Sequence, residues 1–308
     1  MLQEVALYKL SRYCKDIGCQ TLFDKYSDWF ELALLRGEVS DYRETVRLAV
    51  IDDPDFDQTR CHYLLSLLEY DPVSLTMLEL CLAEAALPFL SKLLAELDGF
   101  YGISFEFAYR VASSVTEADF SDYTATRRQF DRLAALLPGK PGKKLFFCQP
   151  FTADERLFAF VSQNDTPDQR LDGICALCDC KDMAPVYAGG EYLPQIDAQL
   201  RDFDCPEALL HLTGAEGVGK RFLLKTVCQQ RGVGLVLTNW SAILELPEED
   251  ISLVIRLVIR EALFYHFAIC LYGVTEKNSG AQADAEKLVR LALEPMRQSG
   301  IKTIVLSE

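Results

Sequence analysis

LLHLTGAEGVGKRFLLKTV, residues 209–227, decides the reading of the second half of this chain. The strand-like segment LLHLT runs into a loop that matches G-x-x-x-x-G-K from Gly214 through Gly219 to Lys220, and the helical segment RFLLKTVCQQR follows at once. Such a loop needs glycines because its backbone N–H groups turn inward at torsions closed to residues with a Cβ. The result is an anion nest at a helix N-terminus. Gly214, Ala215, Glu216, Gly217, Val218, Gly219, Lys220 and Arg221 are therefore the candidate nucleotide-binding residues, and Lys220 is expected to reach the terminal phosphates of ATP or ADP. A glycine-rich strand-to-helix turn without a ligand is the structural alternative.

The letters around this loop depart from what hydrolysis needs. Ser or Thr ordinarily follows the lysine, because that hydroxyl ligates Mg²⁺; here the residue is Arg221, which cannot ligate a cation. An apolar strand ending in Asp, often Asp-Glu, ordinarily holds the outer shell of the metal and polarises the attacking water. The strand FAICLYGV stands in that place and ends in Tyr272 and Gly273, with Glu276 beyond its end. Ser307 and Glu308, closing IVLSE, form an alternative acidic pair, but that register skips a complete strand and helix, and consecutive elements usually neighbour each other. The expectation is a site that holds nucleotide, binds Mg²⁺ poorly and does not hydrolyse ATP unaided. No catalytic residue is assigned.

Beyond residue 196 strands and helices alternate: Leu209 to Thr213, a helix from Lys220, Gly234 to Thr238, a helix from Glu249, Phe267 to Val274, a helix from Asp284, and Thr303 to Leu306. Alternation of this kind predicts a parallel sheet with crossover helices. Ile251, Val254, Ile255, Val258, Ile259 and Ala262 have the spacing of a helix face lying on a sheet, as do Ala285, Leu288, Val289, Ala292, Leu293 and Met296.

The first half is read as helical. Leu7, Leu10, Phe23, Trp29, Phe30 and Leu34 are spaced for one helix face, and Asp52, Asp53 and Pro54 break the pattern. SLTMLELCLAEAAL follows, with Leu75, Leu78, Leu82 and Ala85 recurring every three or four residues before Pro88 kinks or ends the run. Pro138, Gly139, Pro141 and Gly142 make a turn cluster, and LFFCQPF after it reads as a short strand or hairpin arm, as at the close of a winged-helix domain. Residues 164–195 lack a clear period and are expected to be a linker. The domain reading is 1–50 N-terminal helices, 51–163 a helical, winged-helix-like domain, 164–195 linker and 196–308 an α/β P-loop domain.

With 308 residues, half of them apolar, the chain is long enough for two compact domains. Its formal charge of -15 repels phosphate backbones and anionic lipid, which disfavours nucleic-acid and membrane-surface partners. Eleven cysteines would suit a disulfide scaffold only in a short secreted chain, and the opening MLQEVALYKL lacks the features of a signal peptide. No apolar run reaches the roughly 20 residues that span a bilayer, so the expectation is a soluble protein of the reducing cytoplasm.

The chain resembles bacterial AAA+ ATPases with an N-terminal winged-helix region, some encoded beside contractile, phage-tail-like injection systems. The resemblance covers most of the chain and is carried by LTMLELCLAEAALPFLSKLLAELDG (75–99) with YGISFEFAYRV (101–111), by LFFCQPFTADERLFAFVSQNDTPDQRL (145–171), and by LLHLTGAEGVGKRFLLKTV with VIRLVIREALFYHFAICLYGV (254–274). The last pair is the most specific. The resemblance implies phosphate-binding roles for Gly214, Gly217, Gly219 and Lys220, a sensor position at Ser307, and assembly or partner remodelling by a longer chain. Such chains often combine a degenerate first nucleotide domain with an intact second one. An apolar strand ending at Glu308, without a helical lid or arginine finger, reads as a fragment truncated at its C-terminus.

Cys175, Cys178 and Cys180 form CALCDC, half of a zinc signature with Cys205 as the nearest conceivable fourth ligand; reduced thiols in a linker are the simpler reading. His62, His211 and His266 are scattered and read as core or surface residues. Lys140, Lys143 and Lys144 with Arg127, Arg128 and Arg132 are the most basic stretch, a solvated face or a nucleic-acid-facing wing. Two readings stand beside the nucleotide-binding AAA+ module: a protein-interaction adaptor with a vestigial P-loop, and a winged-helix nucleic-acid-binding regulator.

Overall fold

Local sequence sets the boundaries of the helices. Pro72 stands at the first position of one helix, where its missing N–H is not needed, and Asp71 Oδ2 caps that helix by accepting from Ser74 N at 2.8 Å. Pro88 starts the next helix after the first has ended at Ala86. A computed structural model of the protein describes residues 2–19, 22, 25, 60–86, 88–99, 102–115, 127–138, 150–161, 164–180, 193–201, 209–274 and 286–308. The chain divides into two compact units, Met1–Asp165 and Thr166–Glu308.

The described elements of the first unit are α1 (Leu2–Asp16), α2 (Arg60–Leu67), α3 (Pro72–Ala86), α4 (Pro88–Asp98), β1 (Ile103–Ser104), α5 (Phe105–Val115), α6 (Arg127–Leu136), β2 (Pro150–Phe151) and α7 (Glu155–Val161). Helices α1, α3 and α5 pack on one another and bury Leu10, Leu78 and Phe107 completely, with Tyr13 edge-on to Phe107. Ala85, expected on the buried face of α3, is exposed. Strands β1 and β2 pair antiparallel, Ile103 opposite Phe151. The end of LFFCQPF is thus a strand in its described residues, and 145–149 lie outside them. Trp29, Phe30, Leu34, Gly139, Lys140, Pro141, Gly142, Lys143 and Lys144 also lie outside, as do Phe23, Asp52, Asp53 and Pro54. Arg132 corrects the reading of the basic stretch: it is buried and donates to the Leu67 carbonyl at 2.7 Å, so it holds α6 against the end of α2.

The second unit contains a 3₁₀ turn (Gln169–Leu171), β3 (Cys175–Cys178), α8 (Leu193–Arg201), β4 (Leu209–Thr213), α9 (Lys220–Arg231), β5 (Leu235–Asn239), α10 (Trp240–Leu244), α11 (Glu248–Tyr265) and β6 (Ala268–Val274). A π-helical segment (Leu288–Leu293) then continues into α12 (Glu294–Gln298), and β7 (Thr303–Ser307) follows. The fold of this unit is mixed α/β, with a mostly parallel sheet. Among the described residues, five strands run in the order β3-β5-β6-β7-β4, and β3 alone among them is antiparallel to its neighbour.

Two expectations are corrected here. Residues 164–195 were expected to be a linker, yet Cys175–Cys178 add an edge strand that pairs with β5. Strand β7 stands between β4 and β6, because the chain crosses from β4 to β5 and returns through β6 to β7. Val289 was placed on a buried face and is 47% exposed, whereas Leu288, Ala292 and Met296 are buried. The π segment widens the turn there and carries Val289 off the face.

Both faces of the central strands are covered, which is why β6 begins as a continuous apolar run and β7 carries Ile304 to Leu306 in succession, rather than alternating. On one face Leu224, Val227 and Cys228 of α9 meet Leu210, Leu235, Cys270 and Ile304. On the other lie Val236, Ile269, Leu271 and Val305, all buried, and α11 packs on β5 and β6. All six residues expected on the buried face of α11, from Ile251 to Ala262, are buried.

Gly234, just before β5, admits no side chain. A Cβ there would lie 2.1 Å from the Phe267 ring. Gly234→Ala is expected to destabilise the second unit by roughly 1–3 kcal/mol, read as a lowered denaturant midpoint with unchanged slope.

Candidate functional site

The loop between β4 and α9 takes its shape from its glycines. Gly217 and Gly219 have φ of 79° and 87°, in the left-handed region that a Cβ disfavours, and Gly219 stands at the N-cap of α9 without a side-chain cap. The first helical bond, Leu223 N to Gly219 O at 2.9 Å, comes one turn later, so the N–H groups of the first turn point out of the helix end. Gly214 N donates to Ser307 O, tying the start of the loop to β7.

This loop opens onto a cavity of about 500 Å³ at the carboxyl ends of the parallel strands, the position where open α/β sheets take ligands and a volume within the usual range for small-molecule sites. Glu216 to Phe222 line one side; Asn239, Tyr272 to Val274 and Leu306 to Glu308 line the other. Of the loop residues singled out by sequence, 216–221 line the cavity directly. Gly214 and Ala215 shape the loop, and their carbonyls accept hydrogen bonds from Lys220 Nζ, that of Ala215 at 2.9 Å.

The two positions at which the sequence departs from a metal-binding P-loop meet in space. The Arg221 guanidinium stacks on the Tyr272 ring, 4.7 Å from its centroid. Tyr272 reaches it because it lies on the same sheet face as Cys270, which packs under α9. Gly273 has φ of 77° where the β6–β7 register shifts, and a Cβ there would come within 2.9 Å of Asn239 Oδ1 and Ser241 Oγ. An acidic side chain has no room at this position. Ser241 Oγ donates to the Gly273 carbonyl at 2.6 Å and holds the bulge.

These residues do not fit Mg²⁺ as a P-loop normally holds it. A guanidinium replaces the ligating hydroxyl, and an arene and a glycine replace the acids. Among the described residues, the carboxylates that line the cavity are Glu216 and Glu308. Glu308 was set aside in sequence because an intervening strand and helix separate it from the loop; the crossed strand order removes that separation. Glu276 lies outside the described residues.

Ser307 lines the cavity, and its Oγ lies 2.7 Å from His211 Nε2 on the neighbouring strand. Sequence reasoning missed His211 as the partner of Ser307, together with Asn239 and Phe222 as lining residues. Only the parallel register, Thr213 opposite Ser307, brings His211 within reach. His266 takes a left-handed C-cap position on α11, and the side chain of His62 is not among those described.

The cysteine cluster does not converge. Cys175 and Cys178 point to opposite faces of β3, as pleating requires. Cys178 Sγ lies 3.9 Å from Cys180 Sγ beside the α9 core, whereas Cys175 lies near Glu261, Asp168 and Asp172. Burial pushes the Cys175 and Cys180 thiols up to about 12. No group of three or more metal-ligating side chains forms among the described residues, and Cys205 lies outside them. No helix among the described residues is long and apolar enough to cross a membrane.

Compared with family models, curated proteins and solved structures, the chain matches none.

Proposed function

We propose that the second unit is a nucleotide-binding module of the P-loop class, of AAA+ type, which holds ATP or ADP and does not turn ATP over unaided. The observation that carries this reading is the loop Gly214–Lys220, sited between a parallel strand and an uncapped helix N-terminus and opening onto the cavity. The AAA+ reading draws on the strand order, in which β7 stands between the loop strand β4 and the apolar strand β6. The first unit supports a winged-helix reading through its order of α4, β1, α5, α6 and β2 with an antiparallel β1–β2 pair. Its role would be contact with a protein partner, since the net charge opposes nucleic acid, while self-assembly would run through the AAA+ domain of a longer chain.

The test is calorimetric titration of ATP and ADP into the full chain and into Lys220→Ala. Saturable heat in the wild type, lost in the variant, is expected, with no phosphate release above background. The vestigial, adaptor reading is favoured by one observation, the return of Lys220 Nζ onto the loop carbonyls. No heat at millimolar nucleotide would establish that second reading instead. A rate of phosphate release that depends on Lys220 would overturn the claim of inactivity.

A further inference from the structure

We infer that the Arg221–Tyr272 stack takes the place of the divalent cation, so that this site binds a nucleoside di- or triphosphate in its metal-free form. The inference rests on the nucleotide-binding reading and goes beyond it by specifying the ionic form of the ligand.

Three observations converge. First, the substitutions are paired: the residue after Lys220 and the residue at the end of β6 touch each other, 4.7 Å from guanidinium carbon to ring centroid. Each departure alone would leave a broken metal site. Together they put one positive charge, backed by an aromatic face, beside the phosphate loop. Second, Gly273 is locked in a left-handed bulge with Asn239 and Ser241 packed against the place of its missing Cβ, so β6 offers no carboxylate beside Tyr272. Third, Arg221, Lys220 and Tyr272 all line the same cavity.

The chemistry follows from what a guanidinium does. Held over an arene as its cation–π partner, it retains N–H groups for paired hydrogen bonds to phosphate oxygens. It therefore supplies the charge that Mg²⁺ would bring, without a hydroxyl or carboxylate to hold it. A magnesium ion already on the phosphates would sit against that guanidinium and be repelled. Mg²⁺ should then bring no gain in affinity.

The experiment is titration of ATP and ADP into the full chain in EDTA and again in excess Mg²⁺, with Lys220→Ala, Arg221→Ala, Tyr272→Leu and Tyr272→Phe alongside. Thermal melts of each variant without nucleotide exclude unfolding. The expected result is binding at least as tight in EDTA as in Mg²⁺. In EDTA, Arg221→Ala should lose roughly 10- to 100-fold in affinity, the scale of a charge-assisted contact. Tyr272→Leu should lose part of that, and Tyr272→Phe, which keeps the arene, should behave as wild type.

Binding that is tenfold or more tighter with Mg²⁺ would overturn the inference while leaving nucleotide binding in place, and would direct attention to Glu308 as a metal ligand. Unchanged EDTA affinity in folded Arg221→Ala would also overturn it. No heat in either buffer would remove the nucleotide reading itself, and this inference with it.

Discussion

Arg260→Ala is expected to destabilise the second unit by roughly 2–5 kcal/mol, the scale of truncating a large, fully buried side chain, while Arg170 continues to pair with Asp168. Arg260 is fully buried on α11, and its guanidinium pairs with Asp168, whose side chain is 5% exposed. Asp168 also caps the 3₁₀ turn by accepting from Arg170 N at 2.9 Å, so one carboxylate fastens the start of the second unit to the helix behind its sheet. A loss of this size is a large fraction of the ~5–15 kcal/mol by which a domain is stable. Chemical denaturation of the full chain should show the second-unit transition shifted to lower denaturant. An unshifted transition would show that α11 holds its place without this pair.

The same carboxylate sets an acid limit. Burial alone would raise the Asp168 carboxyl, but hydrogen bonds from the Arg170 side chain and backbone and the charges of Arg260 and Arg170 outweigh it and hold it below the ordinary carboxylate value. A depressed folded value means that the stabilisation is complete above the unfolded value of about 3.9 and is lost as pH falls through the folded one. The wild type should therefore lose stability below about pH 4, and Asp168→Asn, already destabilised at neutral pH, should show a shallower acid slope.

The second large effect is expected in the first unit. Lys9 Nζ on α1 lies 2.6 Å from Glu79 Oε2 and donates to Thr76 Oγ1 at 2.8 Å on α3, with both charged side chains 3% exposed. Glu79→Ala or Lys9→Ala should each cost up to about 3–5 kcal/mol, because each removes one partner of an ion pair buried between the two helices. The double replacement Lys9→Met with Glu79→Leu should recover most of that loss, since an apolar pair of similar volume avoids the desolvation penalty. A double-mutant cycle by denaturation checks this. Additive losses would mean that the pair is not energetically coupled.

Much of the second unit was legible in the sequence because its elements are local patterns. Leu209–Thr213 was read to the residue, and the glycine loop and Lys220 fall where the motif puts them. The limits of β5, β6 and β7 were read to within a residue, since apolar runs bounded by glycine, charge or a helix face are visible in one dimension. Strand β3 was not legible. Its four residues carry three kinds of signal at once, thiols, an apolar run and an acidic neighbour, and the strand it pairs with, β5, is far away in sequence. The exposure of Val289 was equally hidden, because a π segment changes the period on which a helical face is read.

The candidate site divides in the same way. Residue types alone show that a glycine loop precedes a helix, that Lys220 closes it, and that hydroxyl and acid are missing at Arg221 and Tyr272. Those are matters of residue type and neighbouring residues, settled by which torsions and ligands each side chain permits. It takes the folded chain to bring the two departures into one pair, Ser307 within hydrogen-bond distance of His211, and Glu308 to the cavity. The reason is the strand order: crossing from β4 to β5 and returning through β6 to β7 brings together strand ends that lie far apart along the chain, and no local pattern encodes that crossing.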